Sequence, residues 1–179
     1  MNIAQSKTRT EFPLSTKKVI KKTIASSLTF TCISIIFWMF TASTIVLTKD
    51  SSAFVTGLVI LSVLVTVYLL LTVLYQMWYY SVYFYDLTDD YVIIRKGPIT
   101  PTEITIPYER IQDVYVDQDI LDRIFGLYDV HFSSATVSSG LAAHIDGLEK
   151  KAADGLKEKM LKTVSEKISK RRVPTPPQY

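Results

Sequence analysis

His131 and His144 are the two imidazoles of the chain. Neither has a His-x-x-x-His, His-Glu or cysteine companion at ligand spacing, so the sequence offers no recognisable metal centre. Asp113, Asp117, Asp119 and Asp122 form an acidic run together with Glu109. Calcium loops alternate their ligands, carry a glycine at the sharp turn and end on a bidentate carboxylate. This run lacks that pattern and reads as a solvated face, with Asp119 capping the helical stretch DILDRIFG. Ser133, Ser134, Ser138, Ser139 and Gly140 make neither a nucleophile elbow nor a phosphate loop, and turn chemistry accounts for them. The residues therefore point to a protein that is not an enzyme and takes no cofactor.

The basic residues carry more information. Lys17, Lys18, Lys21 and Lys22 lie directly against a long apolar run. There each lysine gains about 1 kcal/mol from an anionic leaflet, or serves only to set the orientation of insertion. Arg95 and Lys96, beside a turn between two strands, are the other candidate contacts for anionic lipid.

The elements that position these groups divide into two kinds. The net charge of +3 and the 48% hydrophobic content hide an apolar first half and a charged second half. Residues 1–22 read as a loosely ordered basic arm, with Pro13, several hydroxyls and no apolar period. Residues 23–48 and 53–80 are read as membrane-spanning helices. Both are long enough for a hydrocarbon core about 30 Å thick, which needs roughly 20 apolar residues. The first is too long for the core of a secretory signal. Only Lys49, Asp50, Ser51 and Ser52 connect them, so the helices are expected to form an antiparallel hairpin. The lysines before the first span then put both termini in the cytoplasm of a plasma-membrane protein. Tyr75, Trp78, Tyr79 and Tyr80 suit the headgroup layer, while Tyr83, Phe84 and Tyr85 begin a sheet. Cys32, the single cysteine, lies inside an apolar run, so no intramolecular disulfide forms.

Residues 81–168 read as one small domain, and 169–179 as a flexible, proline-containing tail. Strands are expected around Tyr83–Leu87, Tyr91–Arg95, Glu103–Ile106, Ile111–Val116, Leu127–Ala135 and Leu141–Ile145. The alternation of the fourth slips in phase near Asp113. A short helix is expected before Gly126, which supplies its stop. A long helix is expected over Gly147–Lys170, with Ile145, Leu148, Ala152, Leu156 and Met160 as its apolar stripe. Gly155 inside it predicts a close approach to the sheet.

Taken in order, LTDDYVIIRKG, IPYERIQDVYVDQDILDRIFGLYDV and HIDGLEKKAADGLKEKM resemble the bacterial membrane-flanked PH-like domain family. The matching pieces are Leu87-Thr88-Asp89, Ile106-Pro107 with Arg110-Ile111-Gln112, and Arg123-Ile124-Phe125-Gly126-Leu127, within Tyr83–Met160. The resemblance implies a membrane α + β protein: a two-helix hairpin, then a PH-like antiparallel barrel or sandwich capped by a C-terminal helix. Seven strands are usual in that fold, against six read from the residues. It implies structural roles for Asp89, Pro107, Arg110, Gln112, Arg123, Phe125 and Gly126, and headgroup binding near Arg95 and Lys96. It also implies no enzymatic activity. The expected function is a cytoplasmic, non-catalytic module for protein interaction or assembly, with membrane lipids and a protein partner or second copy as its company and no nucleic acid. The alternatives are an anionic-lipid sensor and an accessory subunit of a transport complex.

Overall fold

The computed structural model of the protein describes residues 6–48, 51–134 and 143–172. The expected turn at Ser138–Gly140, the start of the strand at Leu141 and the tail beyond Arg172 lie outside the described residues.

The chain divides into two compact units, Val19–Trp78 and a second made of Met1–Lys18 with Tyr79–Tyr179. The first unit consists of the helices α2 (Lys17–Thr48) and α3 (Ser51–Val82), whose first and last turns belong to the other unit. Several hydroxyls in α2 are accommodated by donating to the carbonyl one turn back: Thr23 to Val19 at 2.8 Å, Ser26 to Lys22 at 2.9 Å, Ser34 to Phe30 at 2.8 Å. Tyr68 of α3 stacks on Phe30 of α2 at 4.0 Å and donates to the Ser26 carbonyl at 3.1 Å.

In the other unit the short helix α1 (Lys7–Glu11) precedes two three-stranded antiparallel sheets. The first holds β1 (Phe84–Leu87), β2 (Tyr91–Lys96) and β3 (Thr102–Pro107) in that order; the second holds β4 (Ile111–Asp117), β5 (Leu127–Ser134) and β6 (His144–Glu149). Helix α4 (Ile120–Phe125) joins β4 to β5, and α5 (Lys150–Arg172) follows β6. One core unites Tyr83, Tyr85, Val92, Ile94 and Ile106 of the first sheet and its approach with Val114, Val130, Phe132, Ile145 and Leu148 of the second and Ala153, Leu156 and Met160 of α5. A fully buried side chain such as Leu148 or Phe132 contributes roughly 1.5–3 kcal/mol.

The sheets are not closed into a barrel. At the β3–β4 corner the chain itself makes the turn: Tyr108 is buried, its N–H donates to the Asp90 carbonyl and its hydroxyl to that of Thr88. At the opposite opening β1 and β6 are both edge strands, and open edges invite wrong pairing. The segment expected to be a loose arm covers both. Ser6 donates to the Tyr85 carbonyl at 2.6 Å, and Thr8 Oγ1 accepts from the Leu87 N–H at 3.0 Å. Farther on, Leu14 bridges to Leu148, and the Ser15 N–H donates to the Gly147 carbonyl at 2.9 Å. Residues 6–18 are thus part of the folded domain. Their charges and hydroxyls masked this, since the segment has few apolar residues and attaches by side chains and one isolated bridge rather than by a strand.

Local chemistry matches expectation at several points. Asp119 caps α4 with a reciprocal bond through Asp122, and Gly126 ends it in the left-handed region at φ 67°. The β4–β5 register shifts between Ile111 and Asp113, at the slip seen in the alternation. Two features differ. The long helix begins at Lys150, not Gly147, because residues 144–149 pair with β5, and Gly147 takes φ 81° within the strand. Ile145 and Leu148 sit three apart, the spacing of a helix face, and the irregularity at Gly147 lets both point inward from a strand. Gly155 does mark a close approach, but to Phe12 and not to the sheet: a Cβ there would lie 2.7 Å from the Phe12 ring.

Candidate functional site

The N-terminal segment buries a charged side chain in the domain at Lys18. Its Nζ lies 2.9 Å from Asp146 Oδ1 and 3.7 Å from the centre of the Tyr83 ring. Both charged side chains are almost wholly removed from solvent, at 3% and 7% exposure. The ring face offers the ammonium a second, electrostatic partner. The aliphatic stem of Lys18 lies across Gly147, where any Cβ would come within 2.7–2.9 Å of it. Glycine at 147 therefore serves both the positive φ and the passage of the lysine.

Tyr83 is itself fully buried, and its hydroxyl donates to the His144 carbonyl at 3.2 Å. Burial first, and the Asp146 charge second, hold its phenol well above the ordinary tyrosine range, so it stays neutral beneath the ammonium. On the other side of this joint, Lys96 Nζ lies 3.3 Å from His144 Nε2. Arg9 completes the attachment by donating to the Tyr83 and Tyr80 carbonyls. Tyr80 and Tyr85 answer with bonds from their hydroxyls to the Leu14 and Phe12 carbonyls.

Beside the joint a groove of about 800 Å³ opens between residues 11–16 and the start of α5. Phe12, Pro13, Leu14 and Ala152 supply apolar lining; Glu11, Glu149, Asp154 and Glu158 give it an acidic rim against the single Lys151. Glu11 is bridged to Lys159, and Glu149 lies 3.8 Å from Lys17.

The residues singled out as lipid contacts are dispersed by the fold. Lys18 and Lys21 are buried, so neither side chain is offered to a headgroup; Lys17 is exposed and Lys22 half-buried. Arg95 forms an exposed pair with Glu103 across β2 and β3, and Lys96 turns toward His144. The residues expected to be structural divide as well. Asp89, Arg110, Gln112, Arg123 and Gly126 are exposed, while Pro107 and Phe125 are half-buried.

The structure also joins what the sequence separates. His131 and His144 stack at 5.1 Å, and Asp117, Asp129 and His131 bring their ligand atoms within 4.8 Å of one another. The signals were Asp129 and His131 two apart on one strand, and Asp146 set between the apolar Ile145 and Leu148 of another.

Residues 28–164 match the model of the family described as Bacterial PH domain, more than half of the chain. No curated protein and no solved structure matches it.

The buried pair makes a sharp prediction. Removing one partner leaves the other charge buried and uncompensated, which costs roughly 3–5 kcal/mol, whereas removing both is close to neutral. Lys18→Met and Asp146→Leu should each lower the unfolding midpoint of the detergent-solubilised chain markedly, and the double variant should recover most of the loss. Additive losses in the double variant would show that the two side chains act independently.

Proposed function

We propose that this chain, which belongs to the bacterial PH domain family, is a non-catalytic, membrane-anchored PH-like module for protein–protein assembly on the cytoplasmic face of the plasma membrane. Its two helices are long and apolar enough to cross a bilayer, with mean hydropathy 1.7 in the most apolar 18-residue window of Lys17–Phe40 and 2.7 in that of Val55–Val82. None of the residues in the most apolar stretch of either is buried by protein. So much exposed apolar surface is stable when lipid covers it.

The observation that carries the reading is the composition of the soluble unit. Residues before the first helix and after the second fold together around a shared core, so the chain leaves the unit near Lys18 and rejoins it near Tyr79. A folded unit lies on one side of a bilayer. The excursion therefore crosses twice, and the lysines flanking its start favour the cytoplasm for the unit.

A protein partner is favoured over a lipid headgroup because three of the basic residues suited to phosphate are engaged elsewhere: Lys18 with Asp146, Arg95 with Glu103, Lys96 beside His144. The groove carries apolar lining with an acidic rim, which repels anionic headgroups and suits a basic, amphipathic segment.

Two measurements test this. In a Cys32→Ser background, Ser52→Cys should react with an impermeant thiol reagent from outside intact cells, and Lys151→Cys only after lysis; labelling of both from one side contradicts the double crossing. A photo-crosslinker at Lys151 of the full chain in its native membrane should give discrete protein adducts, self-adducts included. Adducts with lipid alone would overturn the assembly role in favour of lipid sensing.

A further inference from the structure

We propose that Asp117, Asp129 and His131 form a binding site for one divalent first-row transition-metal ion on the face of the second sheet that points away from the core. The three alternate along β4 and β5 with Val116, Val130 and Phe132, which pack inward. Asp117 and Asp129 stand directly opposite each other in the ladder, and His131 lies two residues along on the same face.

Three observations support the site. The first is distance: His131 Nε2 lies 3.1 Å from Asp117 Oδ1, and all three ligand atoms fall within 4.8 Å. Donors bonded to a tetrahedral metal at about 2.0–2.2 Å sit about 3.3–3.6 Å apart, so the site closes with side-chain shifts on the order of 1 Å. The second is charge: two carboxylates placed directly opposite on one face of an antiparallel pair repel. The His131–Asp117 contact offsets part of this repulsion, and a cation between all three groups would offset it further.

The third is orientation by groups that are not themselves ligands. The His131 ring is clamped between Tyr115, at 5.0 Å with an interplanar angle of 4°, and His144, at 5.1 Å and 21°. That clamp fixes the plane in which Nε2 meets Asp117. Asp129 Oδ1 accepts the Gly147 N–H at 2.8 Å, which holds its carboxylate in place from β6. Supporting contacts of this kind set ligand direction in metal sites and add to affinity. An ion pair between His131 and Asp117 requires neither Asp129 nor its anchor.

The donor set decides the metal class. One imidazole nitrogen with carboxylate oxygens suits zinc, cobalt, manganese or iron(II) better than magnesium or calcium, which take oxygen ligands alone. Three protein ligands leave at least one position open. His131 is half-buried and Asp117 exposed, so an ion can enter from solvent.

The test uses the full chain in detergent, stripped with a chelator and titrated with Zn²⁺ against a chromophoric competitor, then with Co²⁺ followed by visible absorption. One equivalent should bind, with dissociation constants in the micromolar range. His131→Phe, which preserves the ring stack, and Asp117→Asn, at an exposed position, should each weaken binding at least about tenfold. His144→Phe should leave binding within about threefold, since a phenyl ring keeps the stack on His131 and His144 does not ligate the ion. Absence of saturable binding while His131→Phe lowers the unfolding midpoint would reduce the cluster to an ion pair. Equal binding by all variants, or loss with His144→Phe as large as with His131→Phe, would equally overturn the assignment.

Discussion

The ion pair between Lys18 and Asp146 is the constraint to which the domain's open side answers. Two charges held at 2.9 Å away from water need close geometry and further partners to offset desolvation. The Tyr83 ring lies over the ammonium, and Gly147 clears a path for the lysine stem. The segment that delivers Lys18 must then run from the β1 edge to the β6 edge, and along that route it satisfies the exposed backbone groups of both. Ser6 and Thr8 serve β1; Leu14 and Ser15 serve β6. In place of strand-to-strand closure the domain uses residues that precede its own sheets by more than sixty positions in the sequence.

This explains which parts of the architecture could be read from the residues alone. The helices were legible because their charge-free length leaves few alternatives, and α4 because Asp119 and Gly126 mark both of its ends. Even the irregularity at Asp113 showed as a slip in alternation. The N-terminal segment was not legible, because its attachment depends on hydroxyls, Arg9 and one buried lysine, which in sequence read like a solvated arm. Phe12 and Leu14 on either side of Pro13 were the apolar trace of it. The boundary at Lys150 was missed for a different reason: a left-handed glycine inside β6 lets Ile145 and Leu148 both face the core while sitting three apart.

The candidate sites follow the same division. Lysines clustered by sequence suggested one anionic-lipid surface, yet the fold buries two of them and leaves another exposed near Glu149. A carboxylate and a histidine without spacing motifs suggested nothing, yet strand pairing places them beside a second carboxylate. Cross-strand neighbours are invisible until register is known, whereas clusters along the chain are visible but need not survive folding. Lys18 is paired with Asp146 inside the domain, and the groove between residues 11–16 and the start of α5 carries Glu11, Glu149, Asp154 and Glu158. The groove is built from residues on both sides of the two long helices, which share one compact unit.

The account rests on residues 6–18 being folded with the sheets. Hydrogen exchange of the full chain in a membrane mimetic, resolved to the amides of Phe12 and Ser15, tests this most directly, since those groups donate to the Thr8 and Gly147 carbonyls at 2.8 and 2.9 Å. Protection comparable to that of β1 and β6 is the predicted result. Exchange at the rate of an unstructured peptide, with the strands still protected, would contradict it.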